Sequence, residues 1–489
     1  MGDDLVRARL DKIEDLRRRG LDPFPARVPA TDPVADVLQQ HAALTPEEHS
    51  GARVTVAGRL TAIRQMGKAS FLDLRDGTGK IQTHASVDRM GQAVYDDLRH
   101  LDVGDFLSVF GEVFRTKRGE LTVAVETWTF LSKAMRPLPE KWHGLKDVEL
   151  RYRHRSLDLL SNDESRERFM RRARMLATVR SRLNAMGYVE VETPILQPIP
   201  GGATARPFVT HHNALNVDFY LRIALELYLK RALIGGIDRV YEISKCFRNE
   251  GVSTKHNPEF TMLELYQAYA DYETMMRTLE SLIGAVLDET VGARAFEYQG
   301  QKLDFALPWR RLSMLDAIAE TTGLDLGNLP AESIIAQAKE KGIGLPSASR
   351  TQLIDHLFDR FVEPTLVQPT FITDYPVEIS PLAKRRADAP QLTERFELFV
   401  MNMEIANAFS ELNDPVDQRA RFEEQERLRA GGDEEAQRID EEFLFAMEHG
   451  MPPTGGMGVG LDRLAMLITN AASIRDVILF PTLKRKDDE

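Results

Sequence analysis

A chain of 489 residues is too long for one hydrophobic core and implies two or three domains. Its 63 basic and 75 acidic side chains give a net charge of −12, which excludes indiscriminate coating of polyanions and requires any nucleic-acid contact to be local. A single cysteine, Cys246, excludes an intrachain disulfide and a thiolate metal cage, and with neither a secretory signal pattern nor an apolar run of about 18 residues the chain reads as cytoplasmic, with no membrane partner.

In chain order, residues 3–19 predict a short amphipathic helix with Leu10, Ile13 and Leu16 on one stripe, closed by Gly20 and Pro23, within an N-terminal extension over 1–50. Short alternating strands follow at Val54–Gly58, Ser70–Arg75, Lys80–His84, Phe106–Gly111 and Leu121–Val125, and Asp76-Gly77-Thr78-Gly79 is the turn between the second and third. Five strands in this space predict a small closed barrel of OB type over 51–133, a fold that binds single-stranded nucleic acid on its second and third strands. There Phe71 offers a stacking ring, Gln82 an amide for a base edge and Arg64 a cation in the preceding loop, although Phe71 suits the barrel core equally well. Residues 134–164, carrying Arg151-Tyr152-Arg153-His154-Arg155, read as a linker able to touch a nucleic-acid backbone.

From residue 165 the pattern is mixed. A helix-forming run over Glu167–Met186 leads into Gly187–Leu196, with Pro194 removing a backbone donor at a strand end, as an edge or interface position allows. Gly202 leaves room for a substrate amino group to reach the backbone, and Glu226 at a helix start is placed to receive an ammonium. Adjacent His211 and His212 point apart in a strand, which argues against a metal site. Cys246, beside Arg248, reads as a packed, inert thiol.

The most informative stretch is Phe247-Arg248-Asn249-Glu250-Gly251 followed by His256–Tyr266. In a strand Phe260, Met262, Glu264 and Tyr266 project to one face and Thr261, Leu263 and Leu265 to the other. An aromatic ring, a carboxylate and a phenol on one face are costly to bury unless a cation meets them. Arg248, in the loop upstream, is suited to fork onto a phosphate. Near the C-terminus Gly455-Gly456-Met457-Gly458-Val459-Gly460-Leu461-Asp462-Arg463 feeds a helix, yet it lacks GKS or GKT and does not fit GxGxxG after a strand of a parallel unit.

These segments resemble motifs 1, 2 and 3 of the class II aminoacyl-tRNA synthetases, and FRNEG followed by HNPEFTMLELY is similar to the lysyl branch in particular. The resemblance implies an α+β fold: the N-terminal OB-type five-stranded β-barrel plus a class II catalytic domain over 165–489, an antiparallel sheet flanked by helices. It implies activation of L-lysine by ATP and transfer to the 3′ end of tRNA(Lys), with Mg²⁺ (two or three ions) bridging the ATP phosphates, and a homodimer built through motif 1. By the same resemblance Arg248 and Arg463 are catalytic, and ATP is held by Arg248, Glu250, His256, Asn257, Phe260, Met262, Glu397, Glu404 and Arg463, with adenine stacked between Phe260 and Arg463. Glu397 and Glu404 hold metal. Lysine is lined by Gly202, Glu226, Glu264, Tyr266, Asn407, Phe409 and Glu411, and the central anticodon base by Arg64, Phe71 and Gln82.

Three features of this pattern stay open in the sequence. Strict alternation along 404–411 places Ile405 with Asn407, Phe409 and Glu411 but turns Glu404 to the opposite face, so a bulge or a turn must intervene. Met401-Asn402 stands where many bacterial relatives carry two glycines, and Leu225 stands where some carry proline, a difference expected to cost a helix-initiation signal and nothing chemical. Two other readings are a ligase that lysylates a protein such as elongation factor P, disfavoured by the barrel, and a non-catalytic tRNA-binding paralogue, disfavoured by the intact Arg248, Glu397, Glu404 and Arg463.

Overall fold

Alternating apolar residues close the N-terminal strands on themselves. In the computed structural model, which describes residues 2–138, 145–327, 329–430 and 437–484, β1 (His49–Met66), β2 (Ala69–Arg75), β3 (Lys80–Ser86), β4 (Phe106–Arg115) and β5 (Leu121–Ser132) form a closed barrel in the order β1-β2-β3-β5-β4. Leu60, Leu72, Leu74, Ile81, Val109 and Val123 fill it. β1 is far longer than its apolar alternation suggests, because one half pairs with β4 and the other with β2, and a register shift between Leu60 and Ala62 breaks the period where it bends. Gly58 permits that bend: a Cβ there would stand 2.6 Å from the Arg75 carbonyl oxygen. The expected turn is an Asx turn, with Asp76 Oδ1 accepting from Thr78 and Gly79 N–H at 2.7 Å each.

The N-terminal helix, Gly2–Arg18, buries Ile13 and Leu16, but Leu10 is 46% exposed and the buried partner of that stripe is Arg9. Positions 9, 13 and 16 follow the spacing of a helix face and Leu10 is turned off it. Arg9 donates to the Ala134 carbonyl at 2.7 Å.

The chain divides into compact units Met1–Lys146 and Asp147–Glu489. The segment expected as a linker, 134–164, is shared between them: residues 139–144 lie outside the described residues, while the helices Val148–Arg153 and Arg155–Ser161 belong to the second unit. There the buried Arg155 pairs with Asp158 at 2.7 Å and donates to the Leu479 and Arg475 carbonyls.

The second unit contributes β6 (Val189–Glu190), β7 (Leu196–Gln197), β8 (Val209–His212), β9 (Val217–Leu221), β10 (Arg239–Phe247), β11 (Glu259–Ala268), β12 (Ala295–Tyr298), β13 (Gln301–Asp304), β14 (Arg310–Ser313), β15 (Thr370–Thr373), β16 (Arg395–Val400), β17 (Met403–Ser410) and β18 (Thr454–Gly460). Eight form one sheet in the order β14-β15-β16-β17-β18-β11-β10-β6. Its central pairs are antiparallel, and the two edge pairs, β14 with β15 and β6 with β10, are parallel. Helices Asp163–Ala185, Tyr272–Thr290 and Leu461–Ile468 pack Val179, Leu279 and Leu464 on one face, against Leu263, Leu265, Ala408 and Val459. On the other face helix Glu226–Ile234, with Leu225 just before it, packs Leu229 and Leu233 against Val240, Cys246 and Tyr266, and a cavity opens beside it. A second core gathers Ile318, Leu353, Leu357 and Phe358 beside Ile372 and Phe399.

Candidate active site

β11 keeps the parity its sequence predicts: Leu263 and Leu265 enter the core, while Phe260, Met262, Glu264 and Tyr266 line a cavity of about 360 Å³. Strand β18 lies beside it in register, pairing Gly458 with Glu264 and Gly456 with Tyr266. A Cβ on Gly456 would overlap Glu411 Oε1 and stand 2.5 Å from Tyr266 Cε1, so this glycine makes room for the pocket's own side chains.

One end of the cavity is acidic. Glu226, Glu264 and Glu411 are 7%, 4% and 1% exposed. Glu264 accepts from the Tyr266 hydroxyl and the Leu225 N–H, both at 3.0 Å. Leu225 therefore does supply something chemical, since a proline there would have no N–H to give. Burial and the neighbouring Glu226 push the Glu264 carboxyl up to about 7, and burial also raises Glu226 and Glu411. The sequence reading missed Lys230: fully buried, its ammonium bridges Glu226 and Glu411. The i,i+4 spacing from Glu226 was the available signal. Gly202, at φ +84°, sits against Glu226, where a Cβ would approach Glu226 Cβ to 3.0 Å.

The other end is basic. The Arg248 guanidinium lies 5.2 Å from the Phe260 ring centre, and its buried Nε has no hydrogen-bond partner. The cation on Phe260 is thus Arg248; Arg463 instead donates to Glu404 O at 2.7 Å and meets Glu404 Oε2 at 3.3 Å. His256 Nε2 lies 3.1 Å from Arg463 Nη2, and burial together with that guanidinium lowers its pKa, so Nε2 accepts and Nδ1 donates to Ser253 at 2.9 Å. Exposed Glu250 lines the mouth, whereas Asn257 spends its side chain on Glu259 O and Thr482 N. Cys246 is buried and its thiol is pushed up to about 12 by burial and Glu264, which makes it inert.

A β-bulge settles the parity of Glu404. Leu398 pairs with Ala406 but Phe399 pairs with Glu404, so β17 carries an extra residue at Ile405. Glu404, Asn407, Phe409 and Glu411 then all reach the cavity, and Ile405 turns into the core with Met403 and Ala408, contrary to the expectation that it shares their face. Met401 and Asn402 have φ of +52° and +58°, the geometry of a type I′ hairpin turn. Arg395, also unforeseen, donates to Glu397 at 2.7 Å and Asn407 at 3.2 Å, and the Tyr375 hydroxyl donates to Glu397 at 2.9 Å. Burial and the charge of Glu404 push Glu397 up to about 7. Among the described residues no group of three or more His, Cys, Asp or Glu is placed to hold a metal, so the pair offers two carboxylates and no more. His211 pairs with Asp218 at 2.8 Å and His212 accepts from Leu215 N–H.

On the barrel, Arg64 stands within β1 opposite Phe71, not in a loop, and forks onto Asp73 at 2.8 Å and 3.4 Å. Phe71 is half-buried and outside the barrel core, with its ring centre 4.8 Å from that of His84. Gln82 pairs with Asp73 across β2 and β3, and its Oε1 accepts from Thr122 at 3.0 Å. Arg64, Phe71, Gln82 and His84 thus share one outward face.

Residues 147–484 match the family described as tRNA synthetases class II (D, K and N), and residues 54–131 match the OB-fold nucleic acid binding domain. The chain is 53% identical over 488 residues to a lysine–tRNA ligase of Pelotomaculum thermopropionicum, covering 99% of this chain and 96% of that one. It is 53% identical over 487 residues to the ligase of Moorella thermoacetica, with 99% of each covered, and 50% identical over 485 residues to that of Enterococcus faecalis, with 98% and 97% covered. Similarity that runs through barrel and sheet alike, at about half of all positions, is what descent of the whole architecture would leave: the chain belongs to the class II tRNA synthetases (D, K and N).

Proposed function

We infer that this protein activates L-lysine with ATP, forming lysyl-adenylate and pyrophosphate, and transfers the lysyl group to the 3′ end of tRNA(Lys). The observation that carries the choice of amino acid is the buried acidic end of the cavity, where Glu226, Glu264 and Glu411 surround a space that only a cationic ligand would satisfy. An aspartate-binding site would need cations there.

The lysine carboxylate attacks the α-phosphorus and pyrophosphate leaves, so the reaction needs no protein nucleophile and the chain's share is positioning and electrostatics. The unpartnered Arg248 Nε suits an α-phosphate oxygen, and Arg463 with His256 lies where the departing phosphates would emerge. Glu250, Asn257, Phe260 and Met262 complete the nucleotide end, and Gly202, Tyr266, Asn407 and Phe409 the amino-acid end. The carboxylates Glu397 and Glu404, close enough for the charge of one to act on the other, would hold Mg²⁺, which would neutralise charge on the leaving group. Arg64, Phe71 and Gln82 read the central anticodon base from the barrel. Val189 on the short edge strand β6, with Ile195 and Leu196 just beyond it, exposes apolar surface suited to a homodimer.

The test is ATP–pyrophosphate exchange across the twenty amino acids, followed by transfer to tRNA with a UUU anticodon and to the same tRNA with its central base changed. Exchange with lysine alone, abolished by a chelator and restored by Mg²⁺, is expected, with transfer sensitive to the central base. Exchange with another amino acid would overturn the assignment.

A further inference from the structure

Lys230 is the one amine placed among the carboxylates of the acidic end in the described residues, and it lies behind the cavity wall. Helix Glu226–Ile234 carries it one turn beyond Glu226, with Nζ 2.5 Å from Glu226 Oε1 and in contact with Glu411 Oε2. The rings of Phe409, Phe443 and Tyr266 enclose it at 5.4, 5.9 and 6.0 Å. Burial by itself lowers its pKa, but Glu226 and Glu411 outweigh that and raise it, so the ammonium persists.

The charges around it can be counted. Glu226 faces it from its own helix, Glu411 from the end of β17 and the Tyr266 ring from β11, while Glu264 stands behind them, against the Tyr266 hydroxyl and near Glu226. Arg395 acts on Glu226 at longer range but is paired with Glu397, and Arg248 acts on Glu264 from the nucleotide end. Three carboxylates against one fixed ammonium leave two charges uncompensated. A free amino acid with a cationic side chain brings two ammonium groups.

We propose that Lys230 is a built-in counter-cation, a positioning residue that holds Glu226 and Glu411 apart and sets the acidic end to the charge of a diammonium substrate. The proposal rests on the reading of this cavity as the lysine pocket. Without Lys230 a third buried charge would demand a proton, and that proton would compete with the substrate. With Lys230 in place, the one proton that competes near neutrality, on Glu264, is displaced by the substrate's ammonium groups.

The experiment compares lysine-dependent ATP–pyrophosphate exchange in the full chain, Lys230→Met, Glu226→Gln and the double variant, between pH 6 and 9. Lys230→Met is expected to raise the KM for lysine by ~100-fold at neutral pH, with kcat and the KM for ATP within about threefold of the parent, and to make the lysine KM fall more steeply with pH. If Lys230→Met does not fold, the remaining pair decides. Glu226→Gln leaves one uncompensated charge and the double variant leaves two, so the double variant should bind lysine about tenfold more tightly than Glu226→Gln. A double variant no better than Glu226→Gln, or a Lys230→Met protein whose lysine KM and pH profile match the parent, would overturn the proposal. Failure of the underlying pocket reading looks different: the parent itself would then show no exchange with lysine.

Discussion

Glu264 accepts hydrogen bonds from Leu225 N–H and the Tyr266 hydroxyl, both of which favour its ionised form, yet it is pushed up to about 7 because burial and Glu226 outweigh them. Below that value the empty pocket carries a proton on Glu264, which an incoming ammonium must displace; above it the carboxylate is ready. The KM for lysine in ATP–pyrophosphate exchange should therefore fall about tenfold between pH ~6 and ~8, as a single competing proton requires. Glu264→Gln should raise that KM by ~100-fold or more, since a buried charged partner is lost, and flatten the pH dependence. A lysine KM that does not change with pH in the parent would contradict the role given to Glu264. Asn407 and Glu397 have a related dependence on Arg395, whose guanidinium touches both and so ties the amino-acid end to the expected metal ligands.

Among the elements, β18 and the β16–β17 hairpin shape the cavity. The glycines of β18 suit a nucleotide site on first reading, but Gly456 is needed because Glu411 and Tyr266 occupy the space over it. Gly460 differs: a Cβ there would find its nearest atoms at 3.7 Å, on Arg463 and Ile405. Gly456→Ala should cut lysine-dependent exchange by about 100-fold through displacement of the Glu411 carboxylate, at a stability cost in the ~1–3 kcal/mol range of overpacking. Gly460→Ala should change exchange by less than about tenfold and leave Tm near the parent's. Equal losses in the two variants would mean that β18 serves nucleotide approach alone. In the hairpin, Asn402 is among the residues that tolerate positive φ best, and the I′ turn lets Met401-Asn402 stand in for a pair of glycines.

For the whole molecule, the proposed function assigns selection of the amino acid to the compact unit Asp147–Glu489 and selection of the nucleic acid to the unit Met1–Lys146. Phe71 lies half-buried on the outward face of the barrel, its ring beside His84, while Leu72 and Leu74 serve the core. Phe71→Ala should raise the KM for tRNA in the transfer reaction by about 10- to 100-fold, the worth of one base–aromatic stack, and leave ATP–pyrophosphate exchange unchanged. Loss of exchange in that variant would mean that Phe71 supports the fold instead.

The sequence by itself determined the barrel and the parity of β11, because these follow from period-two alternation, while the second architecture and the convergence of Glu226, Glu264 and Glu411 came from its resemblance to the class II synthetases. It set Leu10 on the wrong helical face, placed Ile405 with the pocket residues and left Glu404 unexplained, since a half-turn error or one bulged residue inverts a face and only the partner strand reveals it. Arg395, the Leu225 N–H and the fit of Gly456 were decided by tertiary structure, and so was the role of Lys230, of which the sequence shows only the i,i+4 spacing from Glu226. Each acts by touching a side chain distant in the chain, and burial is what turns those contacts into chemistry: a lysine on a helix is ordinary until two buried carboxylates close on it.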